Sequence, residues 1–259
     1  MRVTVKAGSQ RVCAYCGMPG ADEEDHVVAR QFFPAPTDFE PSAPARAVER
    51  FRGGLPKVPC CGRCNREKQK VEDGPAVLLQ FGDDSAASIA VAHGRVSRTL
   101  RKNKRLLRSL QRGLQDILIR RPSGVLVRRL AIELSARELK DLNRWFRLIT
   151  RGLFCHETGA VLPPSHKVYL LKPADWQQFV FLRDMVLQHE NHQVRSLASG
   201  EFKYTYVVNQ ADQVSMWLFA FKSVDVAAVT VGPDCPRDDA VNASARYDLM
   251  KILARIQWS

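Results

Sequence analysis

Cys13-Ala-Tyr-Cys16 and Cys61-Gly-Arg-Cys64 are two C-x2-C pairs separated by 44 residues. Four thiolates spaced in this way make a tetrahedral zinc site. With every position taken by protein the ion would be structural, leaving no open place for water. Cys60 adjoins Cys61, so either could ligate. The two-residue spacing to Cys64 favours Cys61 and leaves Cys60 as a small buried residue beside the pair. The chain has seven cysteines and an N-terminus, MRVTVKAGSQ, without the apolar core of a signal peptide. Its cysteines therefore read as metal ligands plus spares in a reducing, cytoplasmic setting, rather than as disulfides.

Between the pairs lies Glu24-Asp25-His26-Val27-Val28, and directly after the second comes Asn65, then Arg66-Glu67-Lys68. The order C-x2-C, Asp-His, C-x2-C-Asn-x2-Lys resembles the zinc-stabilised, four-cysteine branch of the HNH endonuclease family, over the stretch from Cys13 to Glu72. The resemblance implies a β-hairpin followed by a helix, the ββα-metal module, with one divalent metal at its base. It implies Asp25 as a metal ligand, His26 as general base and Asn65 as the second metal ligand. One position departs from the family pattern. A bracing Asn is usual shortly before the second metal ligand, and here Gly54 stands in its place. The brace would then be missing or come from the loop, for example from Asp38 or Glu40.

The chemistry can be stated from the residues. Phosphodiester hydrolysis needs an activated water, a positioned phosphate and stabilisation of the leaving oxygen. A neutral histidine takes the water's proton near pH 7. A carboxylate and an amide oxygen form a hard partial shell suited to Mg²⁺ or a similar divalent cation, which stabilises the leaving oxygen. On a strand, Asp25 and His26 point to opposite faces, so they address the metal and the water from two sides or one is redirected by a bend. Arg63, Arg66 and Lys68 would lie near the phosphate path, or form a solvated basic patch.

Charge is concentrated in the middle of the chain. Residues 1–94 hold 12 Lys/Arg and 12 Asp/Glu, whereas residues 95–152 hold 17 and 4. Clustered positive charge suits a polyanion. The basic run is Arg95, Arg98, Arg101, Lys102, Lys104, Arg105, Arg108 and Arg112, with no acidic residue from 95 to 115. Read functionally, it is a clamp on the DNA backbone that positions a duplex without reading its sequence; read blandly, it is a solvated helix face.

The elements around the site read as α+β in three regions: a zinc-stapled nuclease module at 1–75, a basic helical region at 76–160, and an accessory domain at 161–259. Residues 31–54 form a long irregular loop punctuated by Pro34, Pro36, Pro41 and Pro44. Val96, Leu100, Leu107, Leu110, Leu114 and Ile117 recur at helical steps, with Asn103 in one seam position and Gly113 as a weak point. Their partner is a second copy or the helix that starts at Ser135, where Ser135 and Glu138 make a capping-box pattern. That helix buries Leu139, Leu142, Phe146, Ile149 and Leu153, and Gly159 stops it. In the third region Asp175 caps a helix carrying Trp176, Phe179, Val180 and Val186. Strands follow at Phe202–Val208, MWLFAF and VAAVTV as an antiparallel meander, with a last helix over Ala240–Ile256. Cys155, His156, His166, His189 and His192 read as packing or helix-end charge, and Cys235 as a spare thiol. No run of about 18 apolar residues is present, which argues against a membrane span.

These readings point to a metal-dependent endonuclease acting on double-stranded DNA in a bacterial or phage setting. A homodimer or partner protein would engage through the helical or C-terminal region. The rivals are a zinc-knuckle nucleic-acid-binding module without catalysis, and a ribonuclease or toxin using the same site.

Overall fold

The computed structural model describes residues 11–33, 53–80, 94, 96–120, 124–171, 176–211, 213–221 and 224–233. Within them the chain is mixed α and β, with antiparallel sheets throughout. In the N-terminal part, β1 (Glu23–His26) pairs antiparallel with β2 (Lys57–Cys60), and α1 (Gly62–Leu78) follows at once. The register sets Glu23 opposite Cys60 and His26 opposite Lys57. The Val27 amide donates to the Pro56 carbonyl at 2.8 Å, closing the stem beyond His26. Phe32 and Phe33, within the loop expected at 31–54, are packed into the core instead. Arg30–Phe32 make a single 3-10 turn, and both Phe32 and Phe33 are fully buried. Residues 34–52, with Asp38 and Glu40, lie outside the described residues.

The middle region departs from an all-helical reading. Helices α2 (Ser97–Lys102) and α3 (Lys104–Gly113) are separated at Asn103, and residues 114–132 form a hairpin of β3 (Leu114–Arg120) and β4 (Leu126–Ile132). The leucine period therefore does not describe one long helix. Asn103 leaves helical geometry, and its side chain accepts from the Leu106 amide at 3.0 Å, capping α3. At Gly113 a Cβ would stand 2.1 Å from the Glu133 carbonyl oxygen, so only glycine fits where helix turns into strand. The seam is nevertheless used within the chain. Val96, Leu106 and Leu110 pack on Val77 and Leu78 at the end of α1, with Leu100, Ile132 and Leu134 beside them. Within the chain, the buried part of the seam packs on α1 rather than on the helix after Ser135.

That later helix, α4 (Ala136–Thr158), is capped as its sequence specifies. The Ser135 amide donates to Glu138 Oε2 at 2.8 Å, and Gly159 closes the other end at φ 71°. Trp145, Phe146, Ile149 and Leu153 are fully buried on its inner face. The C-terminal sheet has the order β5-β9-β8-β7-β6, built from β5 (Lys167–Leu171), β6 (Gln193–Leu197), β7 (Phe202–Asn209), β8 (Val214–Phe221) and β9 (Val224–Val231). The three strands read from sequence form its centre as a meander; β5 and β6, short and weakly patterned, flank them. α5 (Trp176–Gln188) covers one face through Phe179, Leu182 and Val186 against Val207, Met216, Leu218 and Val229. α4, with Phe32 and Phe33 beyond β1, covers the other. Cover on both faces explains the near-continuous apolar run Met216–Phe221. Asp175, Cys235 and the stretch 240–256 lie outside the described residues.

One buried cluster runs from Cys13 and Tyr15 through Val27, Phe32, Trp145 and Leu153 to Phe202, Trp217 and Phe221. Phe32 stacks on Trp145 with ring centres 4.6 Å apart. The closest joint is at Gly152 of α4, where a Cβ would meet Val27 Cγ1 at 2.8 Å and Tyr15 at 3.3 Å. A helix-interior glycine costs about 1 kcal/mol relative to alanine; here it lets α4 lie against the end of β1. At its other end, Glu157 of α4 accepts from the hydroxyls of Tyr204 and Tyr206, each at 2.6 Å.

Candidate functional site

Four cysteines converge. The sulfurs of Cys13, Cys16, Cys61 and Cys64 all lie within 4.8 Å of one another, and those of Cys16 and Cys61 are 4.0 Å apart. Zn–S bonds of about 2.3 Å in a tetrahedron put sulfurs about 3.8 Å apart, so the cluster fits a structural metal ion such as zinc. The local chain explains the convergence. The Gly17 amide donates to the Cys13 carbonyl at 2.9 Å, with Gly17 at φ 70°, and this turns the first pair. The Ala14 amide donates to the Pro59 carbonyl at 3.0 Å, which sets the turn against β2, while Cys61 and Cys64 begin α1.

Cys60 stays out of the cluster, as the spacing favoured. Its buried thiol donates to the Cys61 carbonyl at 3.3 Å.

The Asp-His pair sits at the end of β1, and Asn65 lies in the first turn of α1. Asp25 Oδ2 accepts from the Tyr15 hydroxyl at 2.5 Å and from the Lys68 ammonium at 2.7 Å. Burial, then the charge of Asp25, pushes the Tyr15 hydroxyl well above its ordinary range, so it remains a donor. Burial, with Arg30 and Lys57 nearby, lowers the His26 imidazole below its ordinary value. His26 is therefore neutral at pH 7.

Lys68 corrects one expectation. It is only 1% exposed and cannot serve as a surface phosphate contact. It bridges Asp25, Glu72 Oε1 at 2.9 Å and the His26 carbonyl at 2.6 Å, so it braces the strand that carries the Asp-His pair. The spacing Asn65-x2-Lys68 held the only sequence trace of this role, because a buried lysine cannot be told from an exposed one by type.

Glu23 is a residue the sequence reading missed. It shares a strand face with Asp25, two positions away. Its Oε2 accepts from Asn65 Nδ2 at 2.6 Å, while Asn65 Oδ1 accepts from Gln69 at 3.2 Å. Asn65 is therefore brought to Glu23 by a direct hydrogen bond, whereas Asp25 is held by Tyr15 and Lys68. Strand alternation was the available signal, hidden within the run Asp22-Glu23-Glu24-Asp25.

Arg63 and Arg66 are exposed. Arg63 bonds the sulfur of Cys16, which raises its own pKa. A Cβ on Gly62 would come within 3.2 Å of both Arg66 Nη1 and Glu23 Oε1, so that glycine leaves room for the pair. Gly54, at the expected brace position, adopts φ 69°, and a Cβ there would meet nothing within 4 Å. On α2 and α3, Arg98, Arg101, Lys102, Lys104, Arg105, Arg108 and Arg112 are all exposed; Arg95 lies outside the described residues. Cys155 packs against the main core, and His156 sits in the last turn of α4.

No family model and no curated protein matches this chain. No helix among the described residues is long and apolar enough to cross a membrane.

Proposed function

We propose that the chain is a metal-dependent endonuclease of the HNH type that hydrolyses phosphodiester bonds of double-stranded DNA. One observation carries the reading: the helix that starts in the cysteine cluster and carries Asn65 is held against the strand ending in Asp25-His26, through Asn65 on Glu23 and Lys68 on Asp25. A binder would need the staple, but not a neutral histidine beside a braced carboxylate.

In this reading His26, kept neutral by burial, accepts the proton of the attacking water. Lys68 and Tyr15 occupy Asp25 Oδ2 and leave Oδ1 for ligand duty. Asp25 and Asn65 are hard oxygen donors of the kind Mg²⁺ takes, and a cation held there would stabilise charge on the leaving oxygen. Arg66, exposed one turn from the site, holds the phosphate. The exposed cations of α2 and α3 grip the backbone away from the cut, because the positive excess sits in residues 95–152 while residues 1–94 are charge-balanced.

The rival with an observation behind it is a binding module without catalysis, since the Asn65 amide is already engaged by Glu23 and Gln69. Incubating the full chain with plasmid, single-stranded DNA and RNA, each with and without Mg²⁺, separates the readings. Mg²⁺-dependent nicking of plasmid that is lost in His26→Ala supports the endonuclease. Equal behaviour of wild type and His26→Ala on every substrate would sink it, and cleavage of RNA alone would move the activity to a ribonuclease.

A further inference from the structure

The β3–β4 hairpin carries apolar residues on an exposed face. Its register pairs Leu114 with Ile132, Leu118 with Arg128 and Arg120 with Leu126, so Leu114, Leu118 and Leu126 share one face. They are 49%, 67% and 60% exposed, and Val125 next to the turn is 57% exposed. On the other face, Ile117 and Val127 are half-buried. A two-stranded ribbon is marginal in water by itself. Exposed leucines gathered on one face generally mark a binding surface.

Charge decides what could cover it. Residues 95–132 hold 12 Lys/Arg and a single acid, Asp116. Asp116 is paired with Arg128 on this same face. A second copy would bring the same strongly positive surface against itself, which like charges oppose. A nucleic-acid duplex offers the opposite charge on its backbone and apolar base surfaces in its grooves. Apolar side chains set among cations are a recurrent way of pressing on a base step.

We infer that this leucine face of the β3–β4 hairpin docks against the bases of a DNA duplex whose backbone is held by the arginines of α2 and α3. The inference rests on the DNA reading above and adds a second, non-electrostatic contact remote from the cysteine cluster. It has a distinct signature. Phosphate contacts set the salt dependence of binding, with a slope of about 0.9 per contact; apolar contacts change affinity with no effect on that slope.

The test uses the full chain carrying His26→Ala, so that bound DNA is not cut, and a labelled duplex followed by fluorescence anisotropy over a salt series. Leu118→Ser with Leu126→Ser should weaken binding about tenfold, since each leucine contributes roughly part of a full burial, with the slope unchanged. Leu118→Met with Leu126→Met should restore affinity. Arg101→Gln with Arg105→Gln should lower the slope instead. Both leucines are exposed, so thermal unfolding should match the parent, and that match is the control for folding. Serine variants that bind like the parent overturn the inference while leaving the DNA reading in place. So do serine variants whose only change is loss of a dimer in sedimentation, which would assign the face to a second copy. A parent chain that binds no duplex at all overturns both.

Discussion

Lys68→Met removes a charge that three groups depend on. The ammonium lies 2.7 Å from Asp25, 2.9 Å from Glu72 and 2.6 Å from the His26 carbonyl, and the residue is 1% exposed. Burial already raises the Glu72 pKa, and Lys68 is the main influence pulling it back. Without the ammonium, two carboxylates face each other across a site that water barely reaches. Breaking one side of a buried ion pair costs about 3–5 kcal/mol. In a chain of this size each kcal/mol moves the unfolding midpoint by about 2–4 °C, so the melting temperature should fall by roughly 10 °C at pH 7. The loss should shrink as pH drops and the stranded Glu72 carboxyl, already raised by burial, takes up a proton. Adding Glu72→Gln to Lys68→Met should recover at least about 1 kcal/mol by removing one of the two stranded charges. Urea unfolding of wild type, both single variants and the double variant closes the cycle. A Lys68→Met loss under about 1 kcal/mol, or no recovery in the double variant, would refute the view of Lys68 as an internal counter-charge.

Metal analysis should find about one tightly bound zinc per chain; Cys61→Ser should abolish it, whereas Cys60→Ser, outside the cluster, should keep it, read by competition with a chromogenic chelator. Gly152→Ala should destabilise the protein by about 1–3 kcal/mol despite its better helix propensity, because the new methyl meets Val27, and Val27→Ala in the same chain should relieve much of that loss. The rate of DNA cleavage should fall with acid through a midpoint below the ordinary imidazole value. His26 acts only when neutral and burial lowers its pKa, so the neutral form persists to lower pH; a midpoint above 6.5, the ordinary histidine value, would contradict this.

How much of this could be read from the sequence depended on the range of each interaction. The cysteine pairs were legible because two residues of spacing settle which sulfurs can share an ion. The Ser135–Glu138 box and Gly159 were legible for the same reason, since a cap is decided within one turn. The stretch after Asn103 was not. Leu110, Leu114 and Ile117 satisfy a helical period, but Leu114, Asp116 and Leu118 equally satisfy a strand, and the choice falls at Gly113, where the Glu133 carbonyl arrives from twenty residues on. Lys68 was given the wrong role and Glu23 was missed, because their roles exist only once β1 lies against α1. A lysine in a charged run carries no mark that it will turn inward.

The hairpin stem is shut on both sides of the long connection between β1 and β2. His26 faces Lys57, the Val27 amide meets Pro56, and Phe32 and Phe33 are anchored beneath α4. The spacing of Asp25 and His26 is therefore set by contacts close to the stem itself. A strand pinned at both ends can open only if the cysteine cluster or the Lys68 bridge gives way first, so zinc release should report the opening of the stem.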